Sequence, residues 1–201
     1  GAGISVVHDH DELEARWSVG PGQLMGVAPL LGDALPLNVN ACVFGPDDIT
    51  IHPASVQLIG LAGWTDRRFG FCGNDFAAVA DLPPTVLSQI DATTHTVGRW
   101  LGAMGYRGAF GADYLLDGER LYFAEVNARM QGSSRMAAAL AARTDHVDLV
   151  LDHVSAFLGL DPGRSLTVSD WTRELPPAAQ VIKHHLGARP ITAGVPPIDR
   201  L

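Results

Sequence analysis

Residues 108–129, GAFGADYLLDGERLYFAEVNAR, alternate in character on both sides of DGER, a pattern that commits this stretch to an antiparallel hairpin. Side chains along a strand point to alternate faces, so the register of the hairpin decides which residues of its two arms meet. On the second arm, alternation puts Glu125, Asn127, Arg129 and Gln131 on one face, together with Leu121 and Phe123. On the first arm the matching acid is Asp113. A two-residue turn at Asp117-Gly118 or a four-residue loop sends Asp113 and Glu125 to opposite faces. A three-residue loop, Gly118-Glu119-Arg120, sets them directly across from each other, with Gly118 or a neighbour in the left-handed conformation such loops need.

Directly opposed carboxylates lie about 5 Å apart and destabilise a sheet by a few tenths to about 1 kcal/mol. A hard cation between them reverses the sign. Two carboxylates and the oxygen of Asn127 form an all-oxygen donor set that suits Mg²⁺ or Mn²⁺, which keep waters and complete their shells with phosphate oxygens. Arg129 then serves as a donor fork for an oxyanion or phosphoryl group.

Around this hairpin the pattern predicts an α+β fold, antiparallel strands first and helices packed across them. A helix starts at Asp9 or Asp11, and residues 37–60 form a second hairpin around GPDD. Residues 63–83 are irregular, a mobile or substrate-facing loop in which Asn74 and Asp75 are the candidates to touch a ligand. From Pro84 to Met104, apolar residues recur at three- and four-residue steps, an amphipathic helix. Further helices follow at 133–143 and 146–160, and a β-like AAQVIKHHL lies in the tail. The division expected is a main domain over 1–160 and a small β-containing appendage over 161–201.

A formal net charge of −8 argues against a nucleic-acid surface, because phosphate binding needs a basic stripe. Apolar runs fall short of the roughly 18 residues of a membrane span, and GAGISVV has neither the basic flank nor the apolar length of a signal peptide. Cys42 and Cys72 read as reduced thiols of a cytoplasmic protein, and the eight histidines read as structural or solvated. The chain has a single lysine, Lys183, so a mechanism needing two lysines within these residues is excluded.

The stretch MGYRGAFGADYLLDGERLYFAEVNARMQG (104–132) resembles the metal-binding strand pair of the ATP-grasp superfamily, especially its biotin-carboxylase and peptide-ligase-like branches. The resemblance implies that Asp113, in place of the commoner Glu, joins Glu125 and Asn127 in holding two magnesium ions against ATP, while Arg129 contacts the transferred phosphate or acyl phosphate. It implies that Leu115 packs beneath the adenine and that GVAPLLGDALPLNVNACV is the hinge, with Leu31 offering its amide to the adenine edge. Ala28 stands where the family has an acid. Gln57 matches a glutamine facing the reaction centre, and GAGISVV, with Gly1 and Gly3, looks like the end of the glycine-rich flap over the phosphates. The two phosphate-gripping lysines of the family have no match here, so the chain looks like the C-terminal part of a longer enzyme, not catalytic alone.

The activity implied is activation of a carboxylate by ATP as an acyl phosphate, followed by attack of an amine to form an amide or peptide bond. Gln131 and the helix start at Ser133 and Ser134 would orient the acid or the acceptor. A carboxylase using bicarbonate is the rival within the family. Relatives of that kind carry a short apolar-acid-His stretch where this chain has Gly132-Ser133-Ser134. A non-catalytic nucleotide-binding scaffold is the rival outside it. The partners expected are small-molecule carboxylates and amines, with no nucleic acid and no membrane, and a homodimer is the assembly the reading allows.

Overall fold

Strand β1 (Leu35–Val43) reads LPLNVNACV, and its two alternating sets go to different faces of a sheet. In the computed structural model, which describes residues 5–16, 20, 22 and 24–184, Leu37, Val39, Ala41 and Val43 join the main apolar core. Cys42 enters a second cluster with Phe44, Ala109, Leu149 and Ala156, while Asn38 and Asn40 lie between them in sequence, buried but polar. β1 sits inside a six-stranded antiparallel sheet of order β5-β4-β1-β2-β3-β6. Its other strands are β2 (Ile49–Ile59), β3 (Phe71–Asp75), β4 (Gly108–Asp117), β5 (Arg120–Asn127) and β6 (Ala179–Val181).

A short helix α1 (His10–Arg16) precedes the sheet. Helix α2 (Pro84–Ala103) buries Val86, Leu87, Ile90 and Leu101 in the main core, the stripe its periodicity predicts. Helices α3 (Ser134–Ala141) and α4 (Leu149–Leu158) bring Ala138, Leu149 and Ala156 to the Cys42 cluster. Asp148 caps α4, accepting from the amides of Val150 and Leu151. The α+β architecture is as expected. No helix among the described residues is long and apolar enough to cross a membrane.

The structure also holds elements that were not foreseen. The region expected to be irregular contains β3, and α5 (Val168–Glu174) stands where only a tail was read. α5 is started by a capping box in which Thr167 and Asp170 bond each other's backbone amides. It buries Trp171, whose Nε1–H donates to the Ile51 carbonyl at 2.8 Å. Residues of the segment expected as an appendage thus sit in the main core, and β6 extends the sheet beyond β3.

Gly73 makes that extension sterically feasible. Its φ is +129°, and a Cβ there would lie 2.0 Å from the Gln180 carbonyl oxygen. Gly73→Ala is therefore expected to lower stability by more than about 1 kcal/mol in denaturant unfolding. It is also expected to speed hydrogen exchange at the Ile182 amide, which donates to the Cys72 carbonyl at 2.7 Å. Unchanged exchange there would count against this account of the edge.

The β4–β5 hairpin brings Asp113 opposite Glu125, by a different route from the one expected. The turn is two residues, Gly118 and Glu119, closed by the pair Asp117–Arg120, with Gly118 left-handed at φ +58°. That register alone would place Asp113 on the wrong face. The pairing shifts by one between Phe123, opposite Tyr114, and Glu125, opposite Asp113, leaving Ala124 as the extra residue of a β-bulge. The bulge reverses the facing of everything after it. Leu121 packs on the main core and Phe123 meets Tyr114 edge-to-face, so neither shares the face of Glu125. The strand also ends at Asn127, and Arg129 and Gln131 follow in irregular chain.

Candidate functional site

Past the cover of α3 and α4, the polar face of the sheet opens into a cleft of about 290 Å³. Its floor carries Asn38, Gln57, Asp113, Glu125 and Asn127, Arg129 and Gln131 stand at its side, and Ile59 and Phe71 give it an apolar wall. A smaller cavity of about 70 Å³ near Pro53, Phe76 and Trp171 is lined by no ionisable side chain, whereas the first carries Asp113, Glu125 and Arg129.

Asp113 is the hub. Its Oδ1 accepts from Asn38 Nδ2 at 3.2 Å and from Gln57 Nε2 at 3.0 Å, while its Oδ2 accepts from Asn127 Nδ2 at 3.2 Å. The same Asn127 amide donates to Glu125 Oε1 at 3.1 Å. Arg129 donates through one nitrogen to Asn127 Oδ1 at 2.9 Å and through the other to the Met130 carbonyl. A guanidinium has five N–H groups, so its fork retains donors for an anion.

Burial pushes the Asp113 carboxyl up to about 6; the Asn38 hydrogen bond opposes this, the Glu125 charge adds to it, and Arg129 draws it down. The two acids face each other across the sheet, Asp113 half-buried and Glu125 exposed, and form a site short of positive charge. The Asn127 amide, with its hydrogens within reach of both carboxylates, supplies a partial positive charge between them. A hard divalent cation fits that donor set: the two acids can hold it, and the Asn127 oxygen, which here accepts from Arg129, joins them once its amide flips.

Gln57, Asp113, Glu125, Asn127, Arg129 and Gln131 are thus brought to one cleft. Gln131 lies across Gly111, where a Cβ would come 1.7 Å from its Nε2, and donates to the Val39 carbonyl at 3.2 Å. Ser133 lines the cleft but is 1% exposed, and its hydroxyl accepts from Asn40 Nδ2 at 3.0 Å. Ser134 donates to Asn40 Oδ1 at 2.6 Å and accepts from the Gln131 amide, so it fixes the turn and is not among the cleft-lining residues. Neither serine side chain caps α3. Leu115 shares the face of Asp113 two residues along β4, and Leu31 lies half-buried in the irregular segment before β1. Neither is among the residues lining the cleft. Gly1 and Gly3 lie outside the described residues.

Asp75 accepts from the amides of Ala77 and Ala78 and shapes a turn. Cys42 and Cys72 are buried and unpaired, and burial pushes the Cys42 thiol up to about 12. His52, buried, bonds Asp152 at 2.9 Å and stacks on Trp171, while His153 accepts from the Ala109 amide. These groups hold the fold. Sequence reasoning missed Asn38, Ser55 and Gln180, although the alternation in LNVN marks Asn38 as a polar residue on a buried strand.

No family model and no curated protein matches this sequence. Among solved structures, the chain is similar to the biotin carboxylase of Campylobacter jejuni in complex with β-γ-ATP, at 15% identity and a TM-score of 0.54, over 67% of this chain and 27% of that one. It is also similar to the biotin carboxylase domain dimer of Hydrogenobacter thermophilus 2-oxoglutarate carboxylase, in complex with MgADP, ADP and bicarbonate, at 17% identity and a TM-score of 0.51. That likeness covers 68% of this chain and 27% of its counterpart. The urea carboxylase of Kluyveromyces lactis matches at 19% identity and a TM-score of 0.51, over 67% of this chain and 11% of that enzyme. The chain therefore spans about a quarter of the length of the first two.

Proposed function

We propose that this chain, which has the ATP-grasp fold of those carboxylases, carries the metal-holding part of an ATP-dependent ligase that activates a carboxylate as an acyl phosphate and joins it to an amine. The observation that carries the reading is the facing pair Asp113 and Glu125, with Asn127 and Arg129 beside it on one open cleft. Asp113 and Glu125 hold the divalent cation, which when bound neutralises phosphate oxygens. Arg129, with N–H groups to spare, stabilises the charge that develops on the transferred phosphoryl group and on the acyl carbon's oxygen. Gln57, tied to Asp113, and Gln131, held over Gly111, orient the acid and the amine against Arg129. The groups that grip the outer phosphates come, on this reading, from sequence beyond these residues, because the chain's one lysine, Lys183, is too few. The two unpaired, buried cysteines support a cytoplasmic enzyme.

A bicarbonate-using carboxylase is the second reading, favoured by the carboxylases among the similar structures. Against it stands Gly132-Ser133-Ser134, whose serine hydroxyls are engaged with Asn40. The test is release of ADP and phosphate by the full gene product with Mg²⁺ and ATP, against amino acids singly and in pairs and against bicarbonate. The ligase predicts phosphate release only with particular acid–amine pairs, and its loss in Arg129→Ala. Turnover with bicarbonate alone would select the second reading, and no turnover with any of them would remove both.

A further inference from the structure

The floor of the cleft continues, beneath the surface, across the whole sheet. Gln180 on β6 donates from Nε2 to Asn74 Oδ1 on β3 at 3.0 Å, and Asn74 Nδ2 donates to Ser55 Oγ on β2 at 2.9 Å. Ser55 Oγ donates to Asn38 Oδ1 on β1 at 3.1 Å, and Asn38 Nδ2 donates to Asp113 Oδ1 on β4 at 3.2 Å. Every link points the same way. Asn74 and Ser55 are fully buried and Asn38 is 2% exposed, so a lost partner leaves a polar group shielded from bulk solvent.

The common direction follows from chemistry. An ionised carboxylate only accepts, so Asn38 must turn its nitrogen to Asp113 and its oxygen to Ser55. Ser55 has one hydrogen and spends it on that oxygen, so it must accept from the nitrogen of Asn74. Asn74 then presents its oxygen to β6, where Gln180 supplies the donor. The second N–H of Gln180 is also used, on the Gly132 carbonyl at 2.9 Å, beside Gln131. Reversing one link strands a buried donor or acceptor unless all the links reverse together.

We propose that Gln180, Asn74, Ser55 and Asn38 form a one-way hydrogen-bond chain that positions the Asp113 carboxylate for cation binding, which makes β6 a working part of the site. The chain, with Gln57, ties down Oδ1, leaving Oδ2 turned toward Asn127 and the space beside Glu125. Its aligned dipoles present their positive ends to the carboxylate and favour its ionised form. These four are positioning residues, and the proposal rests on the cation site argued above.

The test uses the side-chain amide resonances of Asn38 and Asn74 in ¹⁵N-labelled full chain, with Mg²⁺ titrations of the same samples. Gln180→Ala, at a half-buried edge position, is expected to shift the Asn38 amide three strands away and to weaken Mg²⁺ binding about threefold. Ser55→Ala, in the middle of the chain, is expected to shift it further and to weaken binding about tenfold, the lower end for outer partners of a metal site. Glu125→Gln, as the control, should lose Mg²⁺ binding and leave the Asn74 amide in place. If Gln180→Ala moves Asn74 but not Asn38, the contacts are local and the chain is overturned. If Asn38 moves while Mg²⁺ affinity stays the same, the network is sheet cement and positioning is overturned. If the parent binds no Mg²⁺ although Asn38 moves, the cation site itself fails, and the proposal fails with it.

Discussion

Glu125→Gln is expected to bind Mn²⁺ on the order of 100-fold more weakly than the parent chain, yet to unfold no earlier when metal is withheld. The loss follows because Glu125 supplies one of the two charges facing each other across β4 and β5. A neutral amide at the same place is a poor ligand for a hard cation that has only two acids to draw on. The preserved stability follows from the same geometry. Like charges directly opposite on a sheet destabilise it by roughly 0.2–1 kcal/mol, and Glu125 is exposed, so the lower part of that range applies. The replacement removes that repulsion and keeps an oxygen for the Asn127 amide, which now donates to Oε1 at 3.1 Å. Mn²⁺ titration by electron paramagnetic resonance and thermal unfolding in chelator give the two readings. A variant that both binds Mn²⁺ normally and unfolds normally would mean that the facing acids are ordinary surface residues.

What the sequence made legible was the local pattern; what it hid was set by distant partners. Alternation identifies β4 and β5, and the meeting of Asp113 with Glu125 was within reach because only register decides it. The bulge at Ala124 was not, since alanine carries no turn signal and its extra residue is visible only once the pairing is known. That single residue also resolves why Leu121 and Phe123 begin a strand that ends in acids and amides: they face α2 and the main core, not the cleft. Strand β3 has five residues with a glycine in the middle, and the reason for Gly73 is the carbonyl of Gln180 far along the chain. Asn38 stands out in LNVN, but its partner Ser55 follows from the pairing of β1 with β2, which itself shifts between Val39 and Ala41. The capping box at Thr167 and Asp170 was readable, and a search for that four-residue signature would have located α5.

The pH at which the cation site works offers the second large effect. With its carboxyl raised from the ordinary 3.8 to about 6, chiefly by burial and further by Glu125, Asp113 holds a proton where a solvated aspartate does not. A cation must displace that proton, so Mg²⁺ affinity is expected to be level above about pH 7 and to fall about tenfold per unit below 6. The sign for stability is opposite. A carboxyl whose folded-state pKa lies above its unfolded value binds its proton more tightly when folded, so its contribution is fully present below about pH 4. That contribution is lost as pH rises to about 6. Without metal, Asp113 therefore works against the folded state across this window as pH rises; with saturating Mg²⁺ the ionised form is the one held, and the trend reverses. Melting curves taken from pH 5 to pH 8 should show a Mg²⁺-induced rise in Tm that is small at pH 5 and reaches its plateau above pH 7. In Asp113→Asn the rise should be absent at every pH, and a rise of equal size from pH 5 to pH 8 in the parent chain would place the cation on some group other than Asp113.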